Sequence, residues 1–210
     1  MSDLAIVIVS CDRYSWFRPY WRHYFNEYFG FEYPVYMLVE KRADPIDKVK
    51  LIQSKIVNAN EWTRGLYEGL KQIPEENVFV LMDDFLITKD ITEQFKRIYA
   101  IFKESDADSF RIMADPNKHC QLTDYKVDGF KVERLLPNSE YKISFSPNIY
   151  KKSFLMKYMN VSESPWSSET EGSKRVKDAL ILHTIIPGWY TGALRKGKVL
   201  PEGKRLIENI

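Results

Sequence analysis

Residues 77–85 read Asn77-Val78-Phe79-Val80-Leu81-Met82-Asp83-Asp84-Phe85. The apolar run from Val78 to Met82 describes a strand buried on both faces, as in the interior of a parallel sheet. It stops at two adjacent carboxylates. In open α/β sheets ligands gather at the carboxyl ends of the strands, so this strand delivers two acids to a binding rim. Neighbouring carboxylates repel, and a cation relieves the repulsion. An oxygen-only donor set suits Mg²⁺ or Mn²⁺, which also bridge phosphate oxygens. On spacing alone, a strand-end turn in which one acid caps backbone amides competes equally with a metal site.

Outward from this stretch, strands and helices alternate. Leu4-Ala5-Ile6-Val7-Ile8-Val9 is a second buried strand, ended by Ser10-Cys11-Asp12. Residues 16–29 place Phe17, Trp21, Tyr24, Phe25 and Tyr28 on one helical face, with Gly30 as terminator. Residues 35–39 read as a strand, and a helix capped by Asn60 runs through Trp62 and Leu66 toward Pro74. Asp90 and Glu93 form a variant capping box for a helix turning Phe95, Ile98, Tyr99 and Phe102 inward. Residues 108–113 make another strand.

The second half is less regular. Residues 130–135 and 141–145 read as extended pieces of a hairpin or mixed edge, 153–159 as a short helix, 162–168 as a polar loop, 169–177 as a helix and 180–186 as a last core strand. The basic, glycine-punctuated stretch from Gly188 through Lys198 is a hairpin or a flap able to close over phosphates. The pattern is α/β: one domain with a mostly parallel central sheet flanked by helices and a mixed edge or small hairpin in the C-terminal half.

Composition narrows the function. The 31 basic and 29 acidic residues nearly cancel, which argues against a nucleic-acid partner. Two cysteines, Cys11 and Cys120, are too few for a disulfide framework and fit a reducing cytosol. The opening apolar run is too short for a transmembrane segment, so the expected setting is cytoplasmic, or host cytoplasm if the source is viral, with peripheral membrane attachment left open. No Walker loop, dinucleotide glycine fingerprint or Ser-His-Asp order is present. His23, His119 and His183 are too scattered for a zinc cluster; His183 could approach a metal as a third ligand, and a satisfied core histidine is the stronger reading.

Asp83-Asp84 after an apolar strand resembles the metal-binding acid motif of GT-A type glycosyltransferases, which use nucleotide-diphosphate sugars. Ile8-Val9-Ser10-Cys11-Asp12-Arg13-Tyr14 is similar to the first strand and nucleotide-binding turn of small bacterial and viral members, including chlorovirus capsid glycosyltransferase domains. Trp62-Thr63-Arg64-Gly65-Leu66 resembles their base- and ribose-side helix. Glu163-Ser164-Pro165-Trp166-Ser167-Ser168-Glu169 looks like an Asn-Pro-Trp-x-x-Glu loop, with Ser164 in place of the asparagine.

The resemblance implies a single GT-A (Rossmann-like) domain over residues 1–210. Residues 1–113 would form a nucleotide-sugar-binding half and 114–210 an acceptor-binding half. The donor would meet Ser10, Asp12, Arg13, Tyr14, Trp62, Arg64, Asp83, Trp166, Lys196 and Lys198, and Mn²⁺ or Mg²⁺ would sit at Asp83 and Asp84. Tyr14 or Trp62 would offer a stacking face, and Glu40-Lys41-Arg42 a further base-side contact. Glu169 is the candidate general base of an inverting transfer, placed at a helix start that favours its ionised form, with Glu163 and Glu171 as substitutes. The implied partners are a nucleotide-diphosphate sugar and a glycan, lipid-linked or protein-linked sugar acceptor. A metal-dependent phosphohydrolase and a non-catalytic sugar-binding module remain as alternatives; the former would need its acids separated by one residue so that both face the substrate.

Overall fold

The computed structural model describes residues 3–41, 43–54, 61–112 and 119–210. Its centre is a nine-stranded sheet in the order β3-β2-β1-β4-β9-β6-β10-β8-β7. The strands are β1 (Leu4–Val9), β2 (Val35–Val39), β3 (Val49–Gln53), β4 (Asn77–Met82), β6 (Ser109–Ile112), β7 (Cys120–Val127), β8 (Phe130–Leu135), β9 (Asn148–Lys151) and β10 (Ile181–Thr184). A short β5 (Phe85–Ile87) lies outside this sheet. β1 pairs in parallel with both β2 and β4, and β6 with β10, while β9 runs antiparallel between β4 and β6. The chain is therefore an α/β domain whose large mixed sheet is mostly parallel.

β1 and β4 are the buried centre, with every residue of β1 closed to solvent. Their side chains feed two apolar layers. Leu4, Ile6, Ile8, Phe79 and Leu81 meet helices α1 (Arg18–Tyr28) and α3 (Thr92–Glu104) on one face. Ala5, Val7, Val9, Val78 and Val80 meet α2 (Trp62–Leu70) and α4 (Lys152–Tyr158) on the other. This two-sided burial is why these strands read as continuous apolar runs.

Several expectations are corrected. Residues 12–17 form a 3-10 turn, and the α-helix begins only at Arg18, because Pro19 fits a first turn but not a helix interior. Gly30 does terminate that helix, at φ +74° with its N–H on Phe25 O. Asn60 and Met113 lie outside the described residues. Asp90 accepts from Thr92 N at 2.9 Å, but Glu93 pairs with Lys96 rather than closing a capping box. Residues 141–145 are irregular; their apolar side chains Ile143 and Phe145 pack in the core without a sheet ladder, and the strand lies just beyond, at β9. The Pro165–Trp166 segment is helical: α5 spans Pro165–Arg175, because the Ser164 hydroxyl caps Ser167 N and Pro165 occupies the first turn. A last helix, α6 (Pro201–Glu208), was not expected.

The carboxyl ends of β1, β2, β4, β6 and β10 share one edge. Because β9 is antiparallel, its first residue Asn148 stands opposite both Val80 and Arg111, which brings residues 144–147 to that edge. No helix among the described residues is long and apolar enough to cross a membrane.

Candidate nucleotide and metal site

Asp83 leaves β4 with its N–H on Val9 O at 3.1 Å, which fixes the acid turn against the turn that follows β1. Asp83 is only 2% exposed. Asp83 Oδ2 and Asp84 Oδ1 are both buried without a hydrogen-bond partner, one orphaned carboxylate oxygen on each of two neighbouring residues. Burial pushes Asp83 up to about 7, the Asp84 charge adding to the effect, while the Ser10 hydroxyl, the Arg18 guanidinium and the Cys11 N–H pull the other way. Burial likewise raises Asp84 to about 6. Cys11, beside them, is pushed to about 11 by burial and by Asp83. Such an environment penalises negative charge and gives it little return unless a cation enters.

The donor chemistry fits a hard divalent ion. Among the described residues no set of three or more His, Cys, Asp and Glu could hold a metal, so the protein offers two carboxylates and leaves the remaining positions to water or phosphate oxygens, the usual arrangement for Mg²⁺. His183 belongs elsewhere. Its Nε2 lies 3.1 Å from Glu133, with Arg111 opposite it across β6, and burial and the Arg111 charge lower its pKa.

The turn after β1 is built around Arg18, which the sequence reading took for helix interior. Its Nε donates to Ser10 Oγ at 2.9 Å and its Nη2 lies 3.6 Å from Asp12. Asp12 N donates to Glu40 Oε2, and Lys41 sits 3.8 Å from the Asp12 carboxylate; Arg42 lies outside the described residues. Asp12, Trp16, Arg18, Lys41 and Ile46 border a cavity of about 670 Å³. Trp16, half exposed beside it, offers an aromatic face that the sequence reading passed over as the start of a helix.

The C-terminal segment closes over both turns. β11 (Tyr190–Gly192) pairs with β5, and Ala193 N donates to Asp84 O at 2.8 Å. A hairpin of β12 (Leu194–Arg195) and β13 (Lys198–Val199) follows, turning at Lys196 and Gly197, both at positive φ. Arg13 Nη2 donates to Lys196 O at 3.4 Å, and Gly197 N donates to Tyr14 Oη at 2.9 Å. Gly197 takes φ +81°, the left-handed conformation that favours glycine, with the Arg13 guanidinium lying close beside it. Lys196 and Lys198 thus flank the Asp12–Tyr14 turn through a hairpin docked on it.

Of the remaining candidates, Trp62 is buried edge-on against Phe145 at 4.6 Å, and Arg64 pairs with Glu61. Neither ring face of Trp62 is free as a platform. Thr63 donates from N and Oγ1 to Glu163 O, joining α2 to the start of α5. Of the two substitutes, Glu163 is clamped by Arg175 Nη1 and Nη2 at 2.7 and 2.8 Å, and Glu171 pairs with Lys174 at the surface. Glu169 lies beyond the first turn of α5, where the helix dipole contributes little. Its Oε1 accepts from Phe145 N at 2.6 Å and Ser144 Oγ at 3.1 Å. Burial raises its pKa against those two donors and Arg111.

No family model matches the chain, and no curated protein does. Solved structures do. S. aureus TarS 1-349 in complex with UDP-GlcNAc is 16% identical with a TM-score of 0.56, covering 93% of this chain and 60% of that one. UTP-bound UGPase from Acinetobacter baumannii is 9% identical with a TM-score of 0.59, covering 100% and 93%. HddC from Yersinia pseudotuberculosis is 13% identical with a TM-score of 0.57, covering 98% and 99%. The fold is one these proteins share. The chain spans between about a third and three-fifths of the length of the TarS structures it matches.

Proposed function

We propose that the chain is a metal-dependent glycosyltransferase that moves a sugar from a nucleotide-diphosphate donor, a UDP-sugar by preference, to a hydroxyl of a glycan or of a lipid- or protein-linked sugar, with inversion. The observation that carries this is the buried Asp83-Asp84 pair, whose two orphaned oxygens sit at a strand end beside the Asp12–Tyr14 turn. A buried, unsatisfied carboxylate oxygen on each of two neighbouring residues is costly to the fold by itself and so points to a ligand. A fold shared with a protein solved with UDP-GlcNAc supports the same donor class.

On this reading Asp83 and Asp84 would hold Mn²⁺ or Mg²⁺, which would supply electrostatic stabilisation to a diphosphate leaving group. Arg18 and Lys41 face the nucleoside beside Asp12, and Trp16 takes the stacking role first given to Tyr14 or Trp62. Lys196 and Lys198 add positive charge from the hairpin. Glu169 takes the proton of the acceptor hydroxyl as that oxygen bonds to the donor's anomeric carbon and the bond to the diphosphate breaks. Its raised pKa brings it nearer the operating range of a general base, and the fixed Oε1 holds the group in place.

The near-complete overlap with UGPase favours a second reading, nucleotidyl transfer from a triphosphate. Against it, no glycine lies between Val9 and Phe17, so the close backbone approach that cradles a polyphosphate is absent there. Calorimetry of UDP with and without Mn²⁺, followed by assays for UDP release from UDP-sugars and for pyrophosphate release from UTP with sugar 1-phosphates, separates the two. Mn²⁺-dependent UDP binding with UDP release supports the transferase; pyrophosphate release alone overturns it.

A further inference from the structure

The outer face of α5 borders a cavity of about 1060 Å³, whose far wall is the segment Pro137–Lys142. That wall is held rigidly. Lys142, itself buried, donates to Pro137 O at 2.8 Å and Val176 O at 2.6 Å. Buried Arg111 donates to Tyr141 O at 2.8 Å. Tyr141 is fixed at φ +52°, a conformation bulky residues rarely adopt, and its ring stays 46% exposed in the cavity. On the facing helix Trp166 is 66% exposed, and Thr170, which bonds to the Trp166 carbonyl, lines the cavity. Trp166, Thr170 and Lys174 recur at four-residue spacing and so form one stripe along α5.

The wall continues directly into the reaction site. Residues 141–145 run along α5 from the cavity to Ser144 and Phe145, which hold Glu169. The Tyr141 ring thus stands exposed in a groove that begins one helical turn from the candidate base, at Ser173, and the exposed Trp166 lies one turn beyond Thr170 on the same stripe of α5. Along the groove both signs of charge alternate, with Glu140 and Glu171 against Lys174 and Lys177. Such a lining offers donors and acceptors without net charge, which matches a neutral ligand rich in hydroxyls, with the Tyr141 ring for stacking; it gives no basic run for a polyanion.

We propose that this groove is an extended acceptor subsite that binds an oligosaccharide along α5, its reacting end over Glu169 near Trp166 and its distal sugars against Tyr141. The proposal rests on the transferase reading and narrows its acceptor to a chain of several sugars. The test is binding of the full chain, with UDP and Mn²⁺ present, to a printed array of natural oligosaccharides of two to six units, with calorimetry on the series that bind. Affinity should rise with chain length in at least one series. Tyr141→Asn, which keeps a residue tolerant of positive φ, should lower affinity for the longest member by roughly tenfold, the size of one lost stacking contact. Thr170→Trp, which fills the groove, should abolish the length dependence, and both variants should bind UDP as the parent does. Array binding that is absent or independent of length, or that survives both substitutions unchanged, would overturn the groove while UDP binding left the transferase reading standing. Absence of Mn²⁺-dependent UDP binding in the parent protein would remove both.

Discussion

Replacing Asp83 by asparagine should make the ligand-free protein more stable at alkaline pH while abolishing binding at the proposed metal site. The carboxyl is raised from 3.8 to about 7 in the folded chain. A carboxyl so shifted stabilises the fold only while protonated, so the wild-type protein loses that contribution as pH rises from about 4 to about 7. At ~1.4 kcal/mol per pKa unit, keeping Asp83 ionised at pH 8 costs about 4 kcal/mol. Asparagine is neutral and nearly isosteric, but its contacts with the Ser10 hydroxyl and Cys11 N–H are weaker, a loss of about 1–2 kcal/mol. The net gain at pH 8 is about 2–3 kcal/mol, and at ~2–4 °C per kcal/mol for a domain of this size it raises Tm by roughly 5–10 °C. At pH 4.5 wild-type Asp83 is already protonated and the advantage disappears. Scanning calorimetry of both proteins, free of metal at the two pH values, reads this directly. A variant less stable than wild type at pH 8, or displaced equally at both, would refute the assignment of Asp83 as a buried, strained charge.

Other expectations follow from the same geometry. Glu169→Gln should leave UDP and Mn²⁺ binding intact and slow transfer by about 10²–10⁴-fold, the usual weight of a general base; a full transfer rate in the variant removes Glu169 from the mechanism. Mn²⁺ affinity should climb between about pH 5.5 and 7.5 and then level off, because both carboxyls, at about 6 and about 7, must lose their protons to bind the ion; calorimetry showing a flat profile would contradict this. Ser164→Ala should destabilise by about 0.5–2 kcal/mol through loss of the α5 cap, whereas Ser164→Asn should be nearly neutral in urea denaturation, since either side chain can cap Ser167 N.

That last pair bears on what the sequence could reveal. The central strands were legible because β1 and β4 are buried on both faces, which leaves an unbroken apolar signature, and Asp83-Asp84 stood out by contrast at the end of one. The substitution of serine for asparagine at 164 weakened a motif match, yet the structure shows a cap, a job either residue performs. β9 was missed because it is short and its apolar residues run on into α4 without a turn signal. β7 was missed because its exposed edge is mostly polar.

Roles in the site were less readable than its location. Trp62 and Trp16 are equivalent as letters, but one packs on Phe145 and the other lies half exposed beside the Asp12 turn, a difference set by helix start positions that no local pattern fixes. Arg18 was invisible as a site residue because its partners Ser10 and Asp12 precede it by a turn whose 3-10 geometry depends on Pro19. The C-terminal stretch was readable as a hairpin from its glycines, but its docking on Arg13 and Tyr14 is a contact across the whole length of the chain.

The account turns on whether Asp83 and Asp84 jointly hold a divalent ion against a pyrophosphate. An anomalous difference map at the manganese edge, from crystals grown with Mn²⁺ and UDP, tests it most directly. The account predicts one strong peak within coordination distance of both carboxylates, with the UDP phosphates on its far side. A peak elsewhere, or UDP bound with the two carboxylates free of metal, would contradict it.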